Sequence, residues 1–120
     1  MKVEIPWKKR KLVVQLIDPD RAGEEEVATA VRLAEEAGVD LFLAGGSLTN
    51  VPVTDVIRSL KRSSSIPVVL FPGNLTQLTT EADAVFILSL ISGRNPELLI
   101  GSHVIAAPVL KNIREKVIPV

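Results

Sequence analysis

Apolar runs along this chain break off three times into a short polar or glycine-rich turn, at Asp18-Pro19-Asp20, Gly45-Gly46-Ser47 and Pro72-Gly73-Asn74. Residues Leu12 to Ile17 are apolar except for Gln15, the pattern of a strand covered on both faces. The turn from Asp18 to Gly23 ends that strand. Val27, Val31, Ala34 and Ala37 then recur at helical spacing, so the pattern predicts a helix over Glu24 to Ala37. Glu24, Glu25 and Glu26 put negative charge at the positive end of its dipole, and Gly38 stops it.

The plan repeats. Val39 to Ala44 reads as a strand, Gly45 to Asn50 as a loop, and Val53, Val56, Ile57 and Leu60 as one helix face, with Lys61 and Arg62 near the helix end where cations are favoured. After Ser63-Ser64-Ser65, Pro67 to Phe71 supplies a third strand, followed by a short helix around Thr76 to Ala82. Ala84 to Ile91 gives a fourth strand, and Asn95-Pro96 an N-cap and first helical position. Helix is expected from Pro96 through Ile105, broken before Pro108 and resumed to Lys116, and Val117-Ile118-Pro119-Val120 opens a fifth strand.

Strand–helix alternation of this kind predicts a four-stranded parallel sheet through right-handed crossovers. In such folds ligands gather at the carboxyl ends of the strands, so the three turns are candidate site loops. Four parallel strands do not close a barrel, and two open edges and one bare apolar face favour self-association into a dimer or larger oligomer.

The chain has 120 residues, about one domain and roughly half the usual length of a closed eight-stranded α/β barrel. Residues 1–11 read as a basic amino-terminal segment and 12–120 as the α/β domain. Lys plus Arg and Asp plus Glu both total 14, which removes any global field for nucleic acid or anionic membrane, and the local run Lys8-Lys9-Arg10-Lys11 reads as a solvated face. No cysteine is present, so thiolate chemistry and disulfides are excluded. No apolar segment reaches the about 18 residues of a membrane span, and the amino terminus does not read as a signal peptide, so a cytoplasmic location is expected.

Four stretches taken together carry a family resemblance: Leu16-Ile17-Asp18-Pro19-Asp20-Arg21; Ala44-Gly45-Gly46-Ser47; Leu70-Phe71-Pro72-Gly73-Asn74 with Gln77; and Leu88-Ser89-Leu90 with Ser92-Gly93-Arg94-Asn95-Pro96. They resemble the geranylgeranylglyceryl phosphate synthase family, including its heptaprenylglyceryl relatives. Ile100-Gly101-Ser102, Ala106-Ala107-Pro108 and Val117-Ile118-Pro119 extend the similarity to the end of the chain. The resemblance implies half of a TIM (βα)8 barrel and a prenyltransferase that joins a polyprenyl diphosphate to sn-glycerol 1-phosphate using Mg²⁺. It places Asp18 as the Mg²⁺ carboxylate and Ser47 as the hydroxyl assisting metal and diphosphate. One carboxylate and one hydroxyl suit a hard cation that keeps several waters and binds substrate phosphates.

Other residues carry two readings. Asp18 and Asp20 also fit a turn and helix cap, and Arg21 fits either a phosphate contact or a solvated turn. Gly45 and Gly46 either admit a diphosphate to backbone amides or only make a tight loop. Asn74 and Gln77 either touch substrate or cap backbone. Arg94 and Asn95 read as structural, His103 as a satisfied or interfacial histidine, and Trp7 as a packing anchor. The family's glycerol-phosphate site draws heavily on the second half of the barrel, which is not in this sequence. An engineered half-barrel, a natural split or truncated product, and one partner of a complementing pair all remain open, as does a non-catalytic self-assembling scaffold.

Overall fold

Val14–Ile17 (β1), Leu41–Ala44 (β2), Val68–Leu70 (β3), Ala84–Ile87 (β4) and Val117–Pro119 (β5) form one sheet in that order in the computed structural model, which describes residues 5, 9–46, 49–73 and 77–120. Trp7, Ser47, Asn74 and Thr76, to which the sequence assigns roles, lie outside the described residues. Every neighbouring pair is parallel, with Val14 opposite Leu41, Phe42 opposite Val68, Val69 opposite Ala84 and Val85 opposite Val117. Each crossover leads to the next strand in the chain, which is the winding of half a TIM barrel. The closing apolar run, expected to open a fifth strand beyond four βα units, is that strand and pairs with β4.

Two helices cover one face of the sheet. Helix α1, Glu24–Ala37, buries Val27, Val31 and Ala34, and ends at Gly38, whose φ of 71° is a left-handed cap natural to glycine. Helix α2, Val53–Ser63, buries Val53, Val56, Ile57 and Leu60, each worth about 2 kcal/mol on removal from water. These side chains join Ile17, Phe42, Ala44, Val68, Leu70 and Val85 in the main core. Period-two alternation sends Leu41, Val69 and Ala84 to the opposite face, where they are buried against Ile5, Leu12, Leu43, Phe86 and Ile118, which are themselves only partly buried. Val14 and Leu16 share that face through their register with Leu41 and Leu43, and are 42% and 59% exposed. This inner face is the surface that would fill the interior of a closed barrel.

The structure corrects two helices. Of the short helix expected around Thr76 to Ala82, Thr76 lies outside the described residues, Gln77 is in 3-10 conformation, and residues 78–83 are not helical. The segment is instead pinned by its neighbours: Arg58 pairs with Glu81, Lys61 with Asp83 at 2.9 Å, and Lys116 Nζ donates to the Thr80 and Ala82 carbonyls at 3.1 Å. Helix α3, Gly101–Asn112, runs straight through Pro108 rather than breaking before it. The proline forfeits one bond, to the carbonyl of Val104, on an exposed turn where the loss costs little. A separate 3-10 turn at Pro96–Leu98 precedes α3, with Asn95 Oδ1 accepting from Glu97 N–H at 3.1 Å as the expected N-cap.

Asp40 and Asp83 repeat one device ahead of alternate strands. The Asp40 carboxylate accepts from Val13 N–H at 2.8 Å while its own N–H donates to the Val13 carbonyl. Asp83 does the same to Val68, with a carboxylate bond of 2.8 Å. Each aspartate fixes the register at the amino end of the preceding strand. Arg10 donates to Asp40 at 2.6 Å, and this bond first, then the Val13 amide, holds the Asp40 carboxyl below the ordinary carboxylate range.

Candidate functional site

Loops after β1, β2 and β3 meet at the carboxyl end of the sheet. The first begins with Asp18, whose Oδ1 accepts from Asp20 N–H at 3.0 Å and so caps the 3-10 turn Pro19–Arg21. Asp20 does not cap its own turn. Its carboxylate reaches the β2–α2 loop, accepting from Asn50 N–H at 2.8 Å, Val51 N–H at 3.0 Å and Asn50 Nδ2 at 3.4 Å. Arg21 is exposed, with no side-chain partner among the described residues.

Glycines allow the second loop to pass close to both neighbours. Gly45 has φ 154°, and a Cβ there would overlap the Phe71 carbonyl of the third loop. A Cβ on Gly46 would lie 3.4 Å from Asp18 Oδ1 and 3.2 Å from Thr49 Cγ2, so the missing side chain leaves a small cradle beside the carboxylate. Gln77 ties the second and third loops, its Oε1 accepting from Gly73 N–H at 2.9 Å and its Nε2 donating to the Gly46 carbonyl at 2.8 Å.

Behind these loops lies a groove of about 390 Å³. Leu16, Phe71, Leu78, Phe86 and Ala106 give it an apolar wall, and Gly45, Gly46 and Gly73 form one margin. The Phe71 and Phe86 rings meet edge to face with centroids 6.0 Å apart. His103 lines the groove and bonds through Nε2 to the Leu88 carbonyl at 2.8 Å, the satisfied histidine expected from sequence. Glu97, Ser102 and His103 add polar groups to this mostly apolar lining, the composition of a small-molecule site.

The donor set beside that margin fits Mg²⁺. Asp18 Oδ1 accepts from the turn and also faces Gly46, while Oδ2 has no partner among the described residues and is the oxygen left to a hard cation that keeps its waters. Among the described residues no group of three or more acidic or histidine side chains gathers as a metal cage. Of the sequence-derived site residues, Asp18, Gly45 and Gly46 come together and Arg21 stands apart on the turn surface. Gln77 falls on the backbone-capping side of its two readings, but between two site loops. The reach of Asp20 into the next loop has no local signal, since its partners are about thirty positions away.

Comparison with known proteins agrees with this geometry. The profile described as the PcrB family matches residues 5–120. The geranylgeranylglyceryl phosphate synthase of Spirosoma linguale is 46% identical over 111 residues, covering 92% of this chain and 45% of the relative. That of Pyrococcus horikoshii is 39% identical over 113 residues, covering 92% and 44%. The crystal structure of (S)-3-O-geranylgeranylglyceryl phosphate synthase from Thermoplasma acidophilum, in complex with its substrate sn-glycerol 1-phosphate, superposes with a TM-score of 0.82 at 32% identity. It is matched over 95% of this chain and 47% of that one, so the chain spans about half the length of its relatives.

Proposed function

The chain belongs to the PcrB family, and on that premise we propose that it supplies the polyprenyl diphosphate half of a prenyltransferase site. The reaction is transfer of a polyprenyl group, such as geranylgeranyl, from its diphosphate to sn-glycerol 1-phosphate, forming an ether in lipid biosynthesis. The observation that carries this reading is the apolar groove whose glycine margin abuts the Asp18 carboxylate. The prenyl chain lies along Leu16, Phe71, Leu78 and Phe86, and the diphosphate is directed to Gly45, Gly46 and Asp18, with Ser47, Asn74 and Arg21 as further contacts. Asp18 with Ser47 would hold Mg²⁺, which neutralises charge on the departing diphosphate. Asp18 also fixes the turn that carries it, so the carboxylate is oriented before ligand arrives. The reaction as a whole is assigned to a complete barrel in the cytoplasm.

Calorimetric titration with a non-hydrolysable geranylgeranyl thiolodiphosphate tests this. Binding is expected to require Mg²⁺ and to weaken by about tenfold or more in Asp18→Asn, which keeps a cap oxygen but removes the charge. Equal binding by both chains, or binding indifferent to Mg²⁺, overturns the assignment.

A second reading is favoured by the exposed Val14 and Leu16 on the inner sheet face. The 120-residue chain by itself pairs this face with that of a second copy, in a dimer or larger assembly that acts as a scaffold whether or not ligand binds.

A further inference from the structure

Gln77 is the one buried polar side chain among the described residues, at 4% exposure, and no buried side-chain nitrogen or oxygen there is left without a partner. Burying an amide costs free energy unless both ends are bonded, and here both are, to backbone of two different loops. Those backbone groups have little need of it. Gly73 is exposed and Gly46 half-buried, so water serves them adequately. The buried amide therefore contributes geometry more than it satisfies stranded groups.

What it fixes is the peptide of Gly46. Its carbonyl is held toward Gln77 at 2.8 Å, while its vacant Cβ direction faces Asp18 Oδ1. Rotation of this peptide would change the gap beside the carboxylate, and Gln77 prevents that by anchoring Gly46 to the third loop. Gly73 N–H, already occupied at 2.9 Å, is not a free donor for an anion. We propose that Gln77 is a positioning residue for the diphosphate end of the groove: it latches the β2 and β3 loops so that the Gly46 backbone keeps its place against the Asp18 carboxylate, the group that would hold the cation. This rests on the diphosphate reading above.

Gln77→Glu and Gln77→Leu separate positioning from bulk stability. A protonated glutamic acid accepts with one oxygen and donates with the other, reproducing the latch, whereas an ionised carboxylate has no proton for the Gly46 carbonyl. Burial raises the pKa of such a carboxyl, so the acid form persists above the ordinary range. The probe is Mg²⁺ with geranylgeranyl thiolodiphosphate, titrated into the full chain at about pH 5.5 and about pH 8.5 and referred to wild type at the same pH, because the protonation of the diphosphate itself changes over this interval. Gln77→Glu is expected within about threefold of wild type at the lower pH and weaker by about tenfold at the higher, with Gln77→Leu weak at both. Wild-type binding that neither variant changes overturns the latch and leaves the diphosphate reading standing. Absence of wild-type binding overturns both. Should Gln77→Leu fail to fold, the pH dependence of Gln77→Glu alone decides, a flat ratio to wild type counting against the proposal.

Discussion

Gly45 runs so close to Phe71 that a Cβ at position 45 would occupy the space of the Phe71 carbonyl oxygen. The backbone at Gly45, φ 154°, is also one that side-chain-bearing residues rarely adopt. Gly45→Ala is therefore expected to lose at least about 2 kcal/mol of stability, through strain and overlap together. Urea unfolding followed by circular dichroism measures it, and a midpoint unchanged from wild type would show that the loops separate freely.

Asp20 ties the first site loop to the second through two backbone amides and the Asn50 side chain. Replacing it by alanine is expected to cost about 1 kcal/mol, since exposed amides regain water, and to speed exchange of the Asn50 and Val51 amide protons. Hydrogen exchange resolved by residue checks this. Unaltered protection at both amides would mean that another group holds the loop.

Leu16 is 59% exposed on the inner sheet face, so its replacement by glutamate removes little packing within one chain. Placing a charge on an apolar face that a second copy must bury opposes pairing. Light scattering over a concentration series is expected to give a dimer or larger mass for the 120-residue chain and a monomer for Leu16→Glu. Identical masses for the two would remove this face from the interface.

Asp40 beside Arg10, and Glu81 beside Arg58, both have carboxyl pKa values held below the ordinary range by those hydrogen bonds. A lowered folded-state pKa gives stability that is full above the unfolded value, about 4, and is lost as pH falls through the lowered one. The midpoint of thermal unfolding should therefore drop between about pH 4.5 and about pH 2 in wild type, and drop less in the Asp40→Asn, Glu81→Gln double variant. Parallel declines would assign the acid sensitivity to other groups.

Much of the fold was readable along the chain because its signals are local. The face Val53, Val56, Ile57 and Leu60 predicts α2, and all four are buried. Gly38, free of a Cβ at a left-handed cap, ends α1, and the Asn95 side-chain oxygen begins the turn before α3, as expected. Pro108 misled because a single missing bond at an exposed turn is cheaper than breaking a helix. The stretch after β3 misled because polar spacing does not reveal that Glu81, Asp83 and two carbonyls will be held by cations from α2 and from Lys116.

The sequence by itself determined the βα order, the turns at the carboxyl ends of the strands and, through four motifs in one order, the family. It placed Asp18 and the glycine pair in the same region. Only the tertiary structure decided that Asp20 serves the following loop, that Gln77 is buried between two others, and which side chains of the inner sheet face, Val14 and Leu16 among them, stay exposed. Periodicity and capping are read within one or two turns of chain. A hydrogen-bond partner some thirty residues away is chosen by which loop the parallel winding sets alongside, and that is fixed by strand register and by how closely glycine lets two backbones approach.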